Sequence, residues 1–494
     1  MIDVQNSICS TQIRDTDERR LAELTPESNE LYRWSDIGGG RLLADWFKDK
    51  ARFVPERKKW FYYTGKVWRP DIGNLRVMEY CKELADALMR YALTIEDESR
   101  RESYVEYVSK WQQRSKRETI LKDAKSVYPV SWSEFDANPT LFNCLNGTLN
   151  LNTGQFHAHN STDMLTKLSG VAYDPEARCE RWEQFISEIM MNDDSKVVFL
   201  QKALGYALTG VANLECFFIL YGPSSRNGKG TCMETMVRLF GDYGRSTRPE
   251  TITQKKAANG SGPSEDIARL AGARFVNVSE PDKKMTLSAA LVKTLTGNDT
   301  ITARFLNENS LEFKPQFKLF INTNHLPTVT DNTLFSSGRV MVIPFERHFA
   351  EHERDTSLKT ELGTPESLSG ILNWCFEGLQ MLNKTGLTVP EAVQEATDQY
   401  RQQSDKIGRF LAEEMKIDAS AEINRDDVYT LYKLWCFQNG YGAENSTNFG
   451  SMLRNVAQVE RKRPNGADRN ANKATMLVGY RQKSNPSPQM ASGF

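Results

Sequence analysis

The eight cysteines, Cys9, Cys81, Cys144, Cys179, Cys216, Cys232, Cys375 and Cys436, are scattered singly with no C-x-x-C pair. That argues against a zinc module and fits reduced, mostly buried thiols. Only five histidines are present, and the one close pair, His157 and His159, has no cysteine beside it, so a strand-edge surface reading outweighs a metal reading. Apolar runs fall far short of the ~18 residues that a membrane span needs. The polar start, MIDVQNSICSTQIRDTDERR, lacks the basic and apolar regions of a secretory signal, so no membrane association is expected and a cytoplasmic location is. Net charge is nearly absent as well: 63 basic and 64 acidic residues give -1, so any nucleic-acid surface must be a local patch. No internal repeat is visible.

What is present is a chain of 494 residues, 39% hydrophobic and 26% charged, long enough for several domains. The first 35 or so residues are charged and poorly patterned, and amphipathic order is expected from Leu42, Leu43, Trp46 and Phe47 onward. The segment KKWFYYTGKVW, residues 58 to 68, reads as two aromatic strands around Thr64-Gly65, with Trp60, Tyr62 and Trp68 as one buried face. A helix over about 75 to 93 should follow. Asn146 to Gly154 predicts a turn, a short strand and another turn closing an N-terminal module. Apolar residues at helical spacing from Trp182 to Leu208, broken near Asn192 to Asp194, suggest a helical collar. Four apolar strand candidates come next, Cys216 to Tyr221, Phe275 to Val278, Phe317 to Asn322 and Val340 to Phe345, with helical or looped segments between them, which indicates an α/β core.

The strongest signal is FFILYGPSSRNGKGT, residues 217 to 231, where a strand enters a glycine loop that opens a helix. Gly222 lets the strand turn, and the loop through Ser224, Ser225, Arg226, Asn227 and Gly228 can aim its amides inward as a nest for phosphate oxygens. Lys229 adds a charge at the β and γ phosphates, and the positive N-terminal end of the helix would sit under the anion. Two departures from G-x-x-x-x-G-K-[ST] stand out. Five residues separate the glycines, and Gly230 occupies the place of the magnesium-binding hydroxyl, leaving Thr231 to serve instead.

Hydrolysis also needs a carboxylate at a neighbouring strand end, a polar group at the γ phosphate and a cation for the transition state. Glu280, with Asp282 two residues on, follows the second strand candidate; Asn324 ends the third, before Pro327; Arg339 precedes the fourth. Each has a plainer reading, as a salt bridge, a turn cap or a surface arginine.

Glycine loop, Glu280, Lys293-x-Leu-Thr-Gly297-x-Asp299, Asn324 and Arg339 before Ile343-Pro344-Phe345, in that order, resemble superfamily 3 helicases. The match is to the phage/plasmid primase-helicase group related to poxvirus helicase-primases, and it covers about residues 140 to 385. The resemblance implies an α/β fold with an AAA+ P-loop NTPase core in a homohexamer, with ATP at subunit interfaces and DNA in the channel. Lys229 and Thr231 would then bind phosphate and Mg2+, with Glu280 at the metal, Asn324 as sensor and Arg339 as an arginine finger on the neighbour's ATP. The units expected are a disordered lead (1–35), an N-terminal α+β module (36–175), a helical collar (176–212), the core (213–350), a helical lid (351–400) and a winged-helix-like DNA-binding domain (401–494).

The last of these is suggested by the order helix, helix and basic β-wing, in which eight basic residues from Arg454 to Lys483, Arg461, Lys462 and Arg463 among them, face two acids. Residues 300 to 318 read as a hairpin turning near Asn307 to Asn309, and Lys293, Arg304 and Lys314 are the candidate phosphate contacts around it. The expected function is ATP-dependent unwinding in the replication of a phage, plasmid or mobile element in the cytoplasm of a bacterial host, on single-stranded and origin DNA, beside a separate primase or other replication proteins. An origin-binding initiator without processive unwinding and a small-molecule kinase remain as alternatives.

Overall fold

The computed structural model describes residues 17–253, 264–279, 285–306, 310–329, 331, 333–439, 441–462 and 474–483. Its N-terminal unit contains α1 (Asp36–Phe47), the antiparallel meander β1 (Ala51–Val54), β2 (Lys59–Tyr63) and β3 (Trp68–Pro70), then α2 (Leu75–Ala92), α3 (Glu98–Ser109) and α4 (Arg114–Ala124). Ser35 starts α1 by accepting the Gly38 amide at 3.2 Å, a standard N-cap. Order begins earlier than the amphipathic pattern suggests. Residues 17–24 are helical, Leu21 is fully buried, and the Arg20 guanidinium lies 4.3 Å from the Trp46 ring centroid. A charged stretch with one apolar anchor every few residues carries too little periodicity to announce this.

The aromatic hairpin is two-sided rather than one-sided. Trp60 packs into the helical core with Trp46 and Tyr80, while Phe61 and Trp68 join Val130 and Phe135 in a separate cluster. Strand β1, unanticipated, covers one edge of the hairpin.

A small antiparallel sheet follows, β4 (Leu141–Cys144), β5 (Gly147–Asn150) and β6 (Phe156–His157). Its Phe142 and Leu149 bury against Phe240, Tyr243 and the next two helices, α5 (Glu180–Ile189) and α6 (Asp194–Leu208), rather than with the N-terminal helices. The packing boundary therefore falls before residue 141, ahead of the turn at Asn146. The break between α5 and α6 is at Met191 and Asn192, both left-handed (φ 59° and 57°), and Asp193 caps α6 through the amides of Ser195 and Lys196. Buried among the central elements, α6 belongs to the same core as the sheet below.

That sheet is five-stranded and parallel: β7 (Phe217–Tyr221), β8 (Gly244–Thr247), β9 (Phe275–Val278), β12 (Lys318–Thr323) and β13 (Val340–Pro344), in the spatial order β13-β7-β12-β9-β8. Helix α7 (Lys229–Phe240) connects β7 to β8, and α8 (Ala289–Thr296) with the antiparallel pair β10 (Ile301–Arg304) and β11 (Ser310–Phe313) lies between β9 and β12. Strand β8 was missed because it is a polar edge strand, GRST, with only Gly244 buried. Along β7 the pleat sends Phe218 and Leu220 into the core shared with α6 and α7, and Phe217 and Ile219 into the core shared with α8. Both faces are covered, as a parallel sheet requires.

Two buried cations fix the lower end of the sheet. Arg274 donates to the carbonyls of Leu208 (2.7 Å) and Leu141 (2.9 Å), and Lys318 to that of Thr209 (2.5 Å). Both reach the C-terminal end of α6, where the helix dipole favours positive charge. Burial nevertheless holds Lys318 well below the usual lysine pKa, with Arg274 adding to the shift.

Beyond β13, α9 (Pro365–Thr385) packs on α6, and α10 (Glu391–Ser404) packs on β13, its Tyr400 hydroxyl donating to the Pro327 carbonyl at 2.5 Å. A last unit runs α11 (Lys406–Glu414), β14 (Met415–Asn424), α12 (Arg425–Gln438), α13 (Ser446–Val456), β15 (Val459–Lys462) and β16 (Ala474–Gln482). Its sheet is antiparallel in the order β14-β16-β15, around a core of Phe410, Tyr432, Trp435 and Phe449. Among the described residues no helix is long and apolar enough to cross a membrane.

Candidate nucleotide site

The glycine loop leaves the C-terminal end of β7 and opens α7. Arg226 (φ 58°) and Gly228 (φ 83°) are left-handed, a reversal that can turn consecutive amides to one side and form an anion nest. A Cβ on Gly228 would stand 2.4 Å from Ile189 Cγ2, and one on Gly222 would stand 2.3 Å from Asn227 Nδ2, 2.6 Å from the Phe345 carbonyl and 3.0 Å from Lys229 Nζ. These two positions need glycine for conformation or close approach. Gly230, by contrast, faces open space, so a longer side chain would fit there sterically. Thr231 lies one residue further on and is half-buried.

Lys229 is 4% exposed. Its ammonium donates to the Gly222 carbonyl at 3.1 Å and to Asn324 Oδ1 at 2.8 Å. Asn324 directly follows β12, the strand next to β7. The plainer reading of Asn324, a turn cap before Pro327, falls instead to its neighbour: Thr323 Oγ1 accepts the His325 amide (3.0 Å) and donates to the His325 carbonyl (2.6 Å). The Asn324 side chain is thereby directed to the lysine.

The loop is braced by the segment after β13, which pattern reading did not assign to the site. The Phe345 amide donates to the Tyr221 carbonyl at 2.7 Å, the Phe349 amide to the Arg226 carbonyl at 2.9 Å, and His348 Nδ1 to the Ser225 carbonyl at 2.8 Å. Inside the loop, Asn227 Nδ2 donates to the Ser224 carbonyl at 2.7 Å. Beside Gly228 and Thr231 opens a cavity of about 490 Å3, walled by Phe185 and Arg181 of α5 and by Phe349 and Arg354. Its volume falls in the range of small-ligand pockets. No short motif marks these wall residues, because three distant segments supply them.

Glu280 and Asp282 lie outside the described residues; β9, ending at Val278, delivers the chain to the same end of the sheet. Arg339 sits at the opposite end, just before β13. It donates to the Glu215 carboxylate (2.5 Å) and carbonyl (3.2 Å) and to Thr296 Oγ1 (3.1 Å). A strand of five residues, roughly 15 Å at ~3.3 Å per residue, separates it from its own glycine loop.

The expected nucleic-acid contacts fare unevenly. Lys293 is held by Asp331 (2.9 Å) and Thr333, because α8 lays it against the segment after β12. Lys314 and Arg461 are exposed. Arg304 lies on β10 with its amide donating to Ser264 Oγ at 3.2 Å, and the hairpin turn at 307–309 is outside the described residues, as is Arg463. In the last unit, β14 pairs with β16 and brings two acids that a linear count leaves out. Glu422 takes Lys462, and Asp418 takes Arg481 at 3.3 Å. The basic wing is therefore less positive than its sequence window.

The structure thus combines a five-stranded parallel α/β sheet and its glycine loop with a helical N-terminal unit and a small C-terminal α+β unit. Comparison with known proteins adds a family: residues 40–191 match D5 N terminal like, 402–483 match Poxvirus D5 protein-like, and 220–339 match a family of unknown function, DUF5906. Segments near both ends of the chain are thus similar to the poxvirus D5 proteins, in line with the resemblance its motifs carry. It is 27% identical over 348 residues to "Putative helicase L207/L206" of Acanthamoeba polyphaga mimivirus, covering 65% of this chain and 36% of that one. It is 23% identical to "Putative helicase 121R" of Invertebrate iridescent virus 3 (89% and 54% covered) and 21% identical to "Putative primase C962R" of African swine fever virus (75% and 43% covered). The chain spans about a third to just over half of the length of these relatives. The solved apo structure of the NrS-1 C terminal region aligns with 90% of this chain and 99% of that one, at a TM-score of 0.49 and 11% identity.

Proposed function

We propose that this chain is the ATP-driven motor of a viral or mobile-element replication helicase, an AAA+ ring that moves along DNA. The observation that carries the reading is the Lys229 ammonium, buried and bonded to both the glycine loop and Asn324. A phosphate-binding lysine at the end of the glycine loop and a γ-phosphate sensor after the neighbouring strand need this proximity, since both must meet the same terminal phosphate. A triphosphate would lie along the nest with its γ end between Lys229 and Asn324, and its nucleoside would turn into the 490 Å3 cavity toward Phe185 and Phe349.

Mg2+, bound with the nucleotide, would offset charge on the β and γ oxygens. Thr231 is the hydroxyl that fits it, with Glu280 supplying the carboxylate. Arg339 is too far from its own loop to touch that triphosphate, so its role is in trans, across a subunit boundary in a homohexamer. Glu215 holds it ready. The C-terminal order of helix, strand, two helices and two strands supports a winged-helix reading, in which α13 and the exposed Arg461 would meet DNA. Unlike a kinase lid, such a unit gives the motor a second grip on nucleic acid.

Hydrolysis of ATP by the wild type and by Lys229→Ala, with and without single-stranded DNA, tests this. DNA-stimulated turnover that Lys229→Ala abolishes supports the motor. DNA binding with negligible stimulated turnover would favour the initiator that uses ATP only to assemble, and turnover by a monomer indifferent to DNA would favour the kinase.

A further inference from the structure

Between the N-terminal unit and the outer edge of the parallel sheet lies a cleft of about 880 Å3, into which β8 and the turn after it project Arg245 and Arg248 and the segment after β6 projects Lys167. Arg57 and Trp132 form the facing wall, the guanidinium 4.5 Å from the indole centroid. The cleft adjoins a second hollow of about 780 Å3 that shares Arg57, Trp132 and Leu311 with it and adds Lys58 and Lys59. Each hollow alone is the size of a small-ligand pocket, roughly 300–1,000 Å3. Together they suit a polymer.

The charges around the first hollow are incompletely balanced. Among the described residues the exposed Arg248 side chain has no ion pair or hydrogen bond, the Arg245 side chain donates only to the Gly244 carbonyl (2.9 Å), and the half-buried Lys167 side chain has no hydrogen-bond partner. Burial depresses the Lys167 pKa; Asp136 and Asp242 oppose that shift, while Arg245 and Arg69 add to it. Of the acids lining the cleft, Glu265 is taken by Arg269. An anion such as a phosphate entering beside Lys167, Arg245 and Arg248 would favour their charged forms.

Apolar side chains also line the cleft. They are Phe305 and Leu311, which follow β10 and lie on β11, and Leu306, next in the chain to Phe305, is 63% exposed. Unstacked bases can cover such side chains. A duplex keeps its bases stacked inside, and an acidic peptide would meet the cations alone.

We propose that this cleft binds single-stranded nucleic acid, with backbone phosphates across Lys167, Arg245 and Arg248 and bases against the hairpin, so that the N-terminal unit leads the strand to the motor. The proposal rests on the nucleic-acid motor reading above and adds a second contact surface to it. The test is fluorescence anisotropy of a labelled oligothymidylate on the full chain across a salt series. The variants are Arg248→Ala, Arg245→Ala/Arg248→Ala, Lys167→Gln and, outside the cleft on the exposed last turn of α9, Lys384→Ala, with thermal melting of each as a fold control.

The double variant is expected to bind at least about ten-fold more weakly, with the slope of log K against log salt shallower by about 1.4, at ~0.7 per phosphate contact. Arg248→Ala, which has no bond to lose, should give half that change in slope at an unaltered melting point. Lys384→Ala should leave the slope unchanged. Wild-type affinity and slope in both arginine variants would overturn the proposal while leaving the motor reading intact. So would tighter binding of a duplex through the same residues, or displacement of the oligonucleotide by polyglutamate at equal charge. No binding by the wild type would overturn the motor reading itself, and this proposal with it.

Discussion

Replacing Asn324 with aspartate should move stability and nucleotide affinity in opposite directions. In the free protein Asn324 Oδ1 accepts from the Lys229 ammonium at 2.8 Å, and a carboxylate there would put a full negative charge within about 4 Å of it. At an effective dielectric constant of 20 that attraction is worth about 4 kcal/mol, mostly offset by the several kcal/mol needed to desolvate a half-buried carboxylate. The net effect on the free protein is a gain of up to about 1 kcal/mol. A bound γ phosphate would occupy the same space, and about 4 kcal/mol of like-charge repulsion weakens ATP binding by roughly a thousand-fold. Asn324→Ala only deletes an acceptor for a buried cation and should destabilise the free protein by about 1.5–3 kcal/mol.

Thermal unfolding with and without ATP and Mg2+, paired with calorimetric titration, reads both effects. ATP at a hundred times the dissociation constant should stabilise the wild type by about 2.7 kcal/mol, and the same concentration should leave the aspartate variant unshifted. An Asn324→Asp protein that binds ATP as tightly as the wild type would refute the placement of Asn324 at the γ phosphate. One less stable without nucleotide than Asn324→Ala would refute the charge argument.

Gly228→Ala must adopt φ 83° and bring a methyl within 2.4 Å of Ile189, costing roughly 2–4 kcal/mol by left-handed strain and overpacking together; thermal melting should fall by several degrees. Gly230→Ala, facing open space within α7, should instead leave the melting point level or raise it, since a helical glycine costs about 0.5–1 kcal/mol relative to alanine. In the C-terminal unit burial pushes the Glu444 pKa up, but the Tyr432 hydroxyl and Lys406 at 2.9 Å outweigh it and hold the carboxyl below its ordinary 4.5. A carboxylate depressed in the folded state contributes stability that is complete above the unfolded pKa and lost as pH falls through the folded one. Tryptophan fluorescence of the unit, through the buried Trp435, should therefore hold above about pH 5 and begin to change below 4.5, and Glu444→Gln should flatten that dependence.

The site was readable where one short segment carries it. FFILYGPSSRNGKGT places strand, turn and helix in a row, and its all-apolar strand is what a centre strand buried on both faces demands. Asn324 could be singled out from its place at a strand end, but only the structure shows that Thr323 caps the turn and so leaves Asn324 for Lys229. The brace from Phe345 to Phe349 and the cavity wall at Arg181 were hidden because tertiary packing assembles them from distant stretches. Strand β8 escaped because an edge strand has no second face to bury, and β14 because only half of its ten residues are apolar and Met415 alone is buried. That second omission also distorted the charge of the wing, since Asp418 and Glu422 sit on the missed strand.

The measurement that tests the proposed ring motor most directly mixes two variants, Lys229→Ala, which on this account cannot hold the triphosphate, and Arg339→Ala, which on this account binds ATP but lacks the cation acting across the boundary. In other phosphoryl-transfer systems that cation is worth about a thousand-fold or more in rate. Each variant alone should show negligible DNA-stimulated hydrolysis. The mixture should recover a fraction of wild-type turnover, because a boundary that pairs an intact Lys229 loop with an intact Arg339 forms only between unlike subunits. Recovery absent across all mixing ratios, or an Arg339→Ala protein that hydrolyses ATP at the wild-type rate, would contradict an arginine acting in trans and with it the assembled motor.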